Sequence, residues 1–150
     1  MAEDNKYVYL SGRIENLRYE EAARDRDYAT GILNEHGWKT LSPMRGCAPG
    51  DASATLIGGV VRPFTAAAMV ARDIGDIEIC RAVLVLTGSI PSFGTVCEWA
   101  IAAHEYHKPV VVVDPDHVSR NHPWMQYFSC EFFDTLDEAL EYIVVVLGYE

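Results

Sequence analysis

The stretch "SIPSFGTVCEWA" (Ser89 to Ala100) places a carboxylate, Glu98, one turn into a helix-like segment whose start is built from Pro, Ser, Gly and Thr. Two further groups are candidates to meet it: Tyr9 in the strand-like "KYVYL" and Asp73 in "RDIGDIE". Two carboxyls and a phenol suit cleavage of a glycosidic bond. One carboxylate attacks or stabilises the anomeric carbon, the second acid protonates the leaving group, and the phenol orients the attacking carboxylate. The "SFGT" turn, with Ser92, Gly94 and Thr95, adds hydroxyls and backbone N–H groups at a helix N-terminus, a fitting place for a phosphate or a sugar hydroxyl. Each group also has a plainer role. Glu98 would be an acid favoured by the helix dipole, Asp73 solvated surface, and Tyr9 part of a core.

The elements that must position these residues are legible from periodicity. "KYVYL" (Lys6 to Leu10) reads as a first strand closed by "SGR", followed by a helix from about Asn16 to His36 with Ala22, Ala29, Ile32 and Leu33 on one face. Gly37 is a natural stop for it. "WKTLSP" reads as a short second strand, and Met44 to about Thr65 as a long loop. A helix is expected from about Ala66 to Cys80. "AVLVLTG" is an uninterrupted apolar run, as a strand covered on both faces requires. A helix over about Thr95 to His107, the strand "PVVVVD", a short strand in "CEFFD" and a helix over about Leu136 to Leu147 complete the pattern. Thr135 and Glu138 form a capping box at the start of that last helix.

Strands alternating with helices imply an α/β fold: a three-layer, doubly wound, mostly parallel sheet of five strands in the flavodoxin-like order 2-1-3-4-5, within one domain over residues 1–150. Such sheets bind ligands at the carboxyl ends of the strands, near the point where the strand order reverses. That point lies between the first and third strands. The loops there are "SGRI", with Ser11, Gly12 and Arg13, and "TGSIPSFGT".

Bulk properties narrow the function classes. The 150 residues suffice to bury a core, and 49% hydrophobic with 23% charged residues is globular composition. A net charge of -10, from 22 acidic against 12 basic residues, argues against a groove for polymeric nucleic acid. It leaves room for a mononucleotide, whose single phosphate needs only a few local donors. The four cysteines are widely spaced with no C-x-x-C pair, so neither a zinc site nor a disulfide framework is expected. His104 and His107, one helical turn apart without a third ligand nearby, read as exposed helix histidines. No metal or cofactor is expected. No apolar run approaches the roughly 18 residues of a membrane span, and the start has no basic signal-like region, so a cytoplasmic protein is expected.

The segments "VYLSGRI", "ARDIGDIEICRAVLVL" and "PSFGTVCEWAIAAHEYHKPVVVV", in that order, resemble the nucleoside 2-deoxyribosyltransferase superfamily, which includes 2'-deoxynucleoside 5'-monophosphate N-glycosidases. The closing "NHPWMQ…DTLDEALEYI" is similar to phage and bacterial members. The resemblance implies that Glu98 is the nucleophile, forming a glycosyl-enzyme intermediate, that Asp73 assists departure of the base, and that Tyr9 positions glutamate and sugar. It implies close backbone approach at Gly12. Ser92 stands where transferases acting on free nucleosides tend to have an aspartate; a serine can donate to a 5'-phosphate that a carboxylate would repel. A nucleoside 5'-monophosphate is therefore the expected substrate.

Arg13 departs from a small or apolar residue and would face phosphate, base or solvent. Arg45 is a second possible phosphate ligand, and Trp99 puts bulk where the family often has an aliphatic residue. The resemblance also implies a homodimer or higher homo-oligomer with shared active sites, to which Asn121 and Met125 would contribute. Deoxyribosyl transfer between free bases and a non-catalytic nucleotide-binding module are the alternative functions.

Overall fold

The structure, a computed structural model, describes residues 5–14, 17–49, 56–57, 60–61, 65–88 and 91–149. Five strands form the main sheet: β1 (Tyr7–Gly12), β2 (Lys39–Leu41), β6 (Ala82–Leu86), β7 (Val110–Val113) and β8 (Glu131–Phe133). They lie in the order β2-β1-β6-β7-β8 with every neighbouring pair parallel. This is the 2-1-3-4-5 order expected from the alternation of elements. β6 ("AVLVL") and β7 ("VVVV") are buried almost throughout, which accounts for their lack of polar alternation.

The pleat of β1 divides the core in two. Val8 and Leu10 pack with Ala29 and Leu33 of α1 (Tyr19–Glu35) and with Ala139, Leu140 and Ile143 of α5 (Leu136–Val145). Tyr9 points the other way, into a cluster with Ile77 of α2 (Ala66–Ile79) and Trp99 of α3 (Phe93–Ala100). The site residues thus belong to the α2–α3 side of the sheet.

Helix ends follow local chemistry. Beyond α1, Gly37 takes φ +80°, and the Gly37 and Trp38 N–H groups donate to the carbonyls of Asn34 and Leu33, closing a Schellman motif. Thr135 caps α5, its Oγ1 accepting from Glu138 N–H at 3.2 Å.

Four differences from the sequence expectation stand out. The segment expected as a loop contains three two-residue strands, β3 (Ala48–Pro49), β4 (Leu56–Ile57) and β5 (Val60–Val61), paired antiparallel in the order β3-β5-β4. α1 begins at Tyr19 rather than near Asn16, and Asn16 itself lies outside the described residues. The helix expected to run to His107 starts two residues earlier, at Phe93, and ends as an α-helix at Ala100, passing into a π-helical turn over Ile101–Glu105. His107, at φ +53°, has left it, so His104 and His107 do not share a helical face. A short helix, α4 (Pro123–Phe128), was not anticipated; its six residues are too few to show a period. Among the described residues no group of three His, Cys, Asp or Glu side chains could hold a metal ion, and no helix is long and apolar enough to cross a membrane.

Candidate active site

The order of the sheet reverses between β1 and β6, and the two strands end together, with Gly12 opposite Leu86 in register. Tyr9 and Ser11 are two residues apart on β1, so both project to the α3 side of the sheet. From α3, the half-buried Glu98 reaches down to them. The Tyr9 hydroxyl donates to Glu98 Oε2, and the Ser11 hydroxyl donates to Oε1 at 3.0 Å. Each carboxylate oxygen therefore has its own donor, which fixes the rotation of the carboxylate as well as its position.

α3 is held in place from both ends. Ser92 is its N-cap, with Oγ accepting from Thr95 N–H at 3.3 Å and lying 2.9 Å from Thr95 Oγ1. Trp99, next to Glu98 in sequence, is fully buried in the core cluster that contains Tyr9, and its Nε1–H donates to Ser129 Oγ at 3.0 Å. The bulk of Trp99 thus sits in the core rather than in the lining of the cavity that holds Glu98.

Asp73 comes from the facing helix, α2. It is buried, only 8% exposed, so the reading as solvated surface does not hold. Arg72 contacts it at 3.3 Å and also donates to the carbonyls of Pro43 (2.8 Å) and Arg45 (2.7 Å), tying the turn after β2 to α2. Asp73 and Glu98 line one cavity of about 280 Å³, near the lower end of the range for ligand pockets. Ser92, Gly94 and Thr95 form one end of it, and Ile14, Pro43, Met69, Val70, Ile74 and Ile101 supply an apolar wall.

Burial pushes the Glu98 carboxyl up to about 7, and the nearby negative charge of Asp73 adds to the rise; the hydrogen bonds from Tyr9 and Ser11 and the charge of Arg26 oppose it. The Tyr9 phenol is pushed upward by burial and by both carboxylates, so it stays protonated and remains a donor. A carboxyl poised near neutrality, held by two hydroxyls beside a second acid, is equipped for nucleophilic or acid–base work.

Several sequence expectations change. Ser11, expected to contact substrate, is fully buried with its hydroxyl donated to Glu98. A Cβ added at Gly12 would meet Arg26 Nη2 at 3.1 Å and Leu86 at 3.1–3.2 Å, so protein packing itself favours a glycine here. Arg13 is exposed and lines a neighbouring depression instead of the cavity that holds Glu98. Arg45 forms an ion pair with Asp76 and is absent from the residues lining the cavity that holds Glu98. Asn121 donates to the His117 carbonyl at 2.7 Å, and Met125 is buried in the core; neither lines the cavity within the chain.

One residue was missed. Arg26 is buried on the core face of α1, and its only signal in the sequence is a charge falling in phase with Ala22, Ala29 and Leu33.

No family model and no curated protein matches the chain. Solved structures do. A 2-deoxyribosyltransferase from Bacillus psychrosaccharolyticus superposes with a TM-score of 0.66 at 16% identity, over 91% of this chain and 91% of that one. A 2-deoxyribosyltransferase from Leishmania mexicana gives 0.64 at 17% identity, over 93% and 97%. A CMP N-glycosidase from Clostridium botulinum gives 0.60 at 15% identity, over 92% and 97%. These are the two kinds of enzyme within the superfamily that the sequence resembles, and the chain has the fold they share.

Proposed function

We propose that the protein is an N-glycosidase that cleaves the base–sugar bond of nucleoside 5'-monophosphates. The observation that carries this reading is the Glu98 carboxylate held by Tyr9 and Ser11 in the same cavity as Asp73. Ionised Glu98 attacks C1' of the sugar, the C1'–N bond breaks, and its electron pair leaves with the base, to which the Asp73 carboxylate passes a proton drawn from solvent. Water then attacks C1', its proton passing back to solvent by way of Asp73, and the C1'–O bond to Glu98 breaks, which releases the sugar phosphate and returns the carboxylate. The backbone at Gly94, in the first turn of α3, offers N–H groups to the 5'-phosphate, while the Ser92 hydroxyl both caps the helix and faces the cavity. The apolar wall accommodates the flat base.

The fold supports deoxyribosyl transfer as a second reading, because two of the similar structures are deoxyribosyltransferases. In that case a second base rather than water would attack the intermediate. The two readings separate on whether base is released from 5'-monophosphates without a second base, or exchanged on free nucleosides. Either reaction is lost in Glu98→Gln. A single domain, a cytoplasmic location and a homo-oligomer belong to the same proposal.

A further inference from the structure

α1 buries the stripe Ala22, Ala23, Arg26, Ala29 and Leu33, so a full positive charge sits among small apolar residues at 3% exposure. A guanidinium does not lose its charge on burial, and such a charge persists only where it is hydrogen-bonded and offset. Arg26 Nη1 donates to the Ala22 carbonyl at 2.6 Å and Nη2 to the Gly12 carbonyl at 2.7 Å. The space where a side chain at position 12 would begin is taken by that same Nη2. Even positions of β1 face α1 and odd ones face α3, so Arg26 lies across the sheet from the two hydroxyls that hold Glu98. Gly12, which it grips, lines the cavity.

We propose that Arg26 is a positioning residue for this site: it clamps the Gly12 backbone at the edge of the cavity and supplies, through the sheet, the fixed positive charge that offsets the Glu98 carboxylate. The proposal rests on the reading of Glu98 as the nucleophile. Glu98 is met by Tyr9 and Ser11 from β1 and by the charge of Asp73 from α2, which Arg72 contacts at 3.3 Å, and the positive charge that acts on it across the sheet is that of Arg26 from α1. Glu21, Asp25 and Arg13 line the depression on the Arg26 side. Burial and Asp73 both disfavour the ionised nucleophile, and Arg26 works against them.

The test is titration of Glu98 by NMR of protein carrying 13C-labelled glutamate, the signal being assigned by its absence in Glu98→Gln, alongside the pH profile of base release. Arg26→Met is expected to move the Glu98 midpoint up by about one pH unit, which cuts the ionised fraction in mildly acidic solution roughly tenfold. Base release should fall by that factor near pH 6 and recover at high pH, while Arg26→Lys keeps the midpoint close to that of the wild type. Gly12→Ala displaces the guanidinium without removing it and is expected to shift the midpoint the same way, so the proposal stays testable if Arg26→Met does not fold. A midpoint unmoved in Arg26→Met or Gly12→Ala, or a loss of activity equal at every pH, overturns the role of Arg26. A wild type that releases no base yet shows the shift overturns the glycosidase reading alone and supports the coupling of Arg26 to Glu98.

Discussion

As the proposed nucleophile, Glu98 must be ionised to attack carbon, in a place where burial favours the protonated form. With its carboxyl near 7, kcat/KM for base release is expected to rise with pH along a limb centred near that value once the separately measured second ionisation of the substrate's 5'-phosphate, at about 6, is divided out. Tyr9→Phe removes the stronger of the two hydrogen bonds favouring the carboxylate and is expected to move the limb upward, with lower activity at neutral pH. The same perturbation makes stability depend on pH. The folded carboxyl holds its proton up to about 7, whereas the ordinary value is 4.5, so between these limits the folded state binds more protons than the unfolded one. Stability is therefore fully present below about 4.5 and declines until pH passes about 7, by about 3 kcal/mol at roughly 1.4 kcal/mol per pH unit. Glu98→Gln, which mimics the neutral form, should melt well above the wild type at pH 8 and close to it at pH 4.5. Thermal unfolding at the two pH values checks this.

At the level of elements, α3 carries both Glu98 and the Ser92–Thr95 end of the cavity, and on the proposed reading its N-cap is where catalysis and phosphate binding meet. Ser92 has a structural duty on Thr95 N–H besides any contact with a ligand. Ser92→Ala is expected to cost about 1 kcal/mol of stability whatever the substrate. Ser92→Asp keeps an equally good cap, so its melting temperature should hold while turnover of 5'-monophosphates falls through charge repulsion. Comparing melting with turnover on phosphorylated and free nucleosides separates the two duties. The long apolar runs of β6 and β7 and the T-x-x-E start of α5 were legible because burial on both faces and capping leave local marks. The small antiparallel sheet was not, although "LIGGVV" carries a two-residue hairpin signal. Arg26 escaped notice because an arginine in "ARDRD" looks like solvated surface until the partners of its guanidinium, Gly12 and Ala22, are seen. Glu98, Asp73 and Tyr9 were legible as residue types and through resemblance; that Ser11 serves Glu98 follows from strand pairing and helix placement, which spacing does not encode.

At the scale of the whole molecule, α4 leaves Trp124 and Tyr127 two-thirds or more exposed. With His104, Pro123 and Phe128 they line an apolar depression of about 550 Å³. His104 follows Ile101, a cavity-lining residue, by one turn, so this surface continues the helix that carries Glu98. It supports the proposal that copies of the chain associate here and that the exposed Asn121, close by in sequence, acts across that contact, whereas Met125 is held in the core. Trp124→Glu is expected to shift the protein toward monomer in light scattering coupled to gel filtration, with unchanged circular dichroism; a mass unaltered from that of an oligomeric wild type would place the contact elsewhere. The central claim is that Glu98 breaks a base–sugar bond of a nucleoside 5'-monophosphate, and the direct measurement is chromatography of deoxynucleosides and their 5'-monophosphates incubated with wild type and Glu98→Gln, with and without a second free base. The account predicts base released from monophosphates alone, without a second base, and reduced by on the order of 10⁴-fold or more in the variant. Exchange of bases confined to unphosphorylated nucleosides, or release that persists in Glu98→Gln, would contradict it.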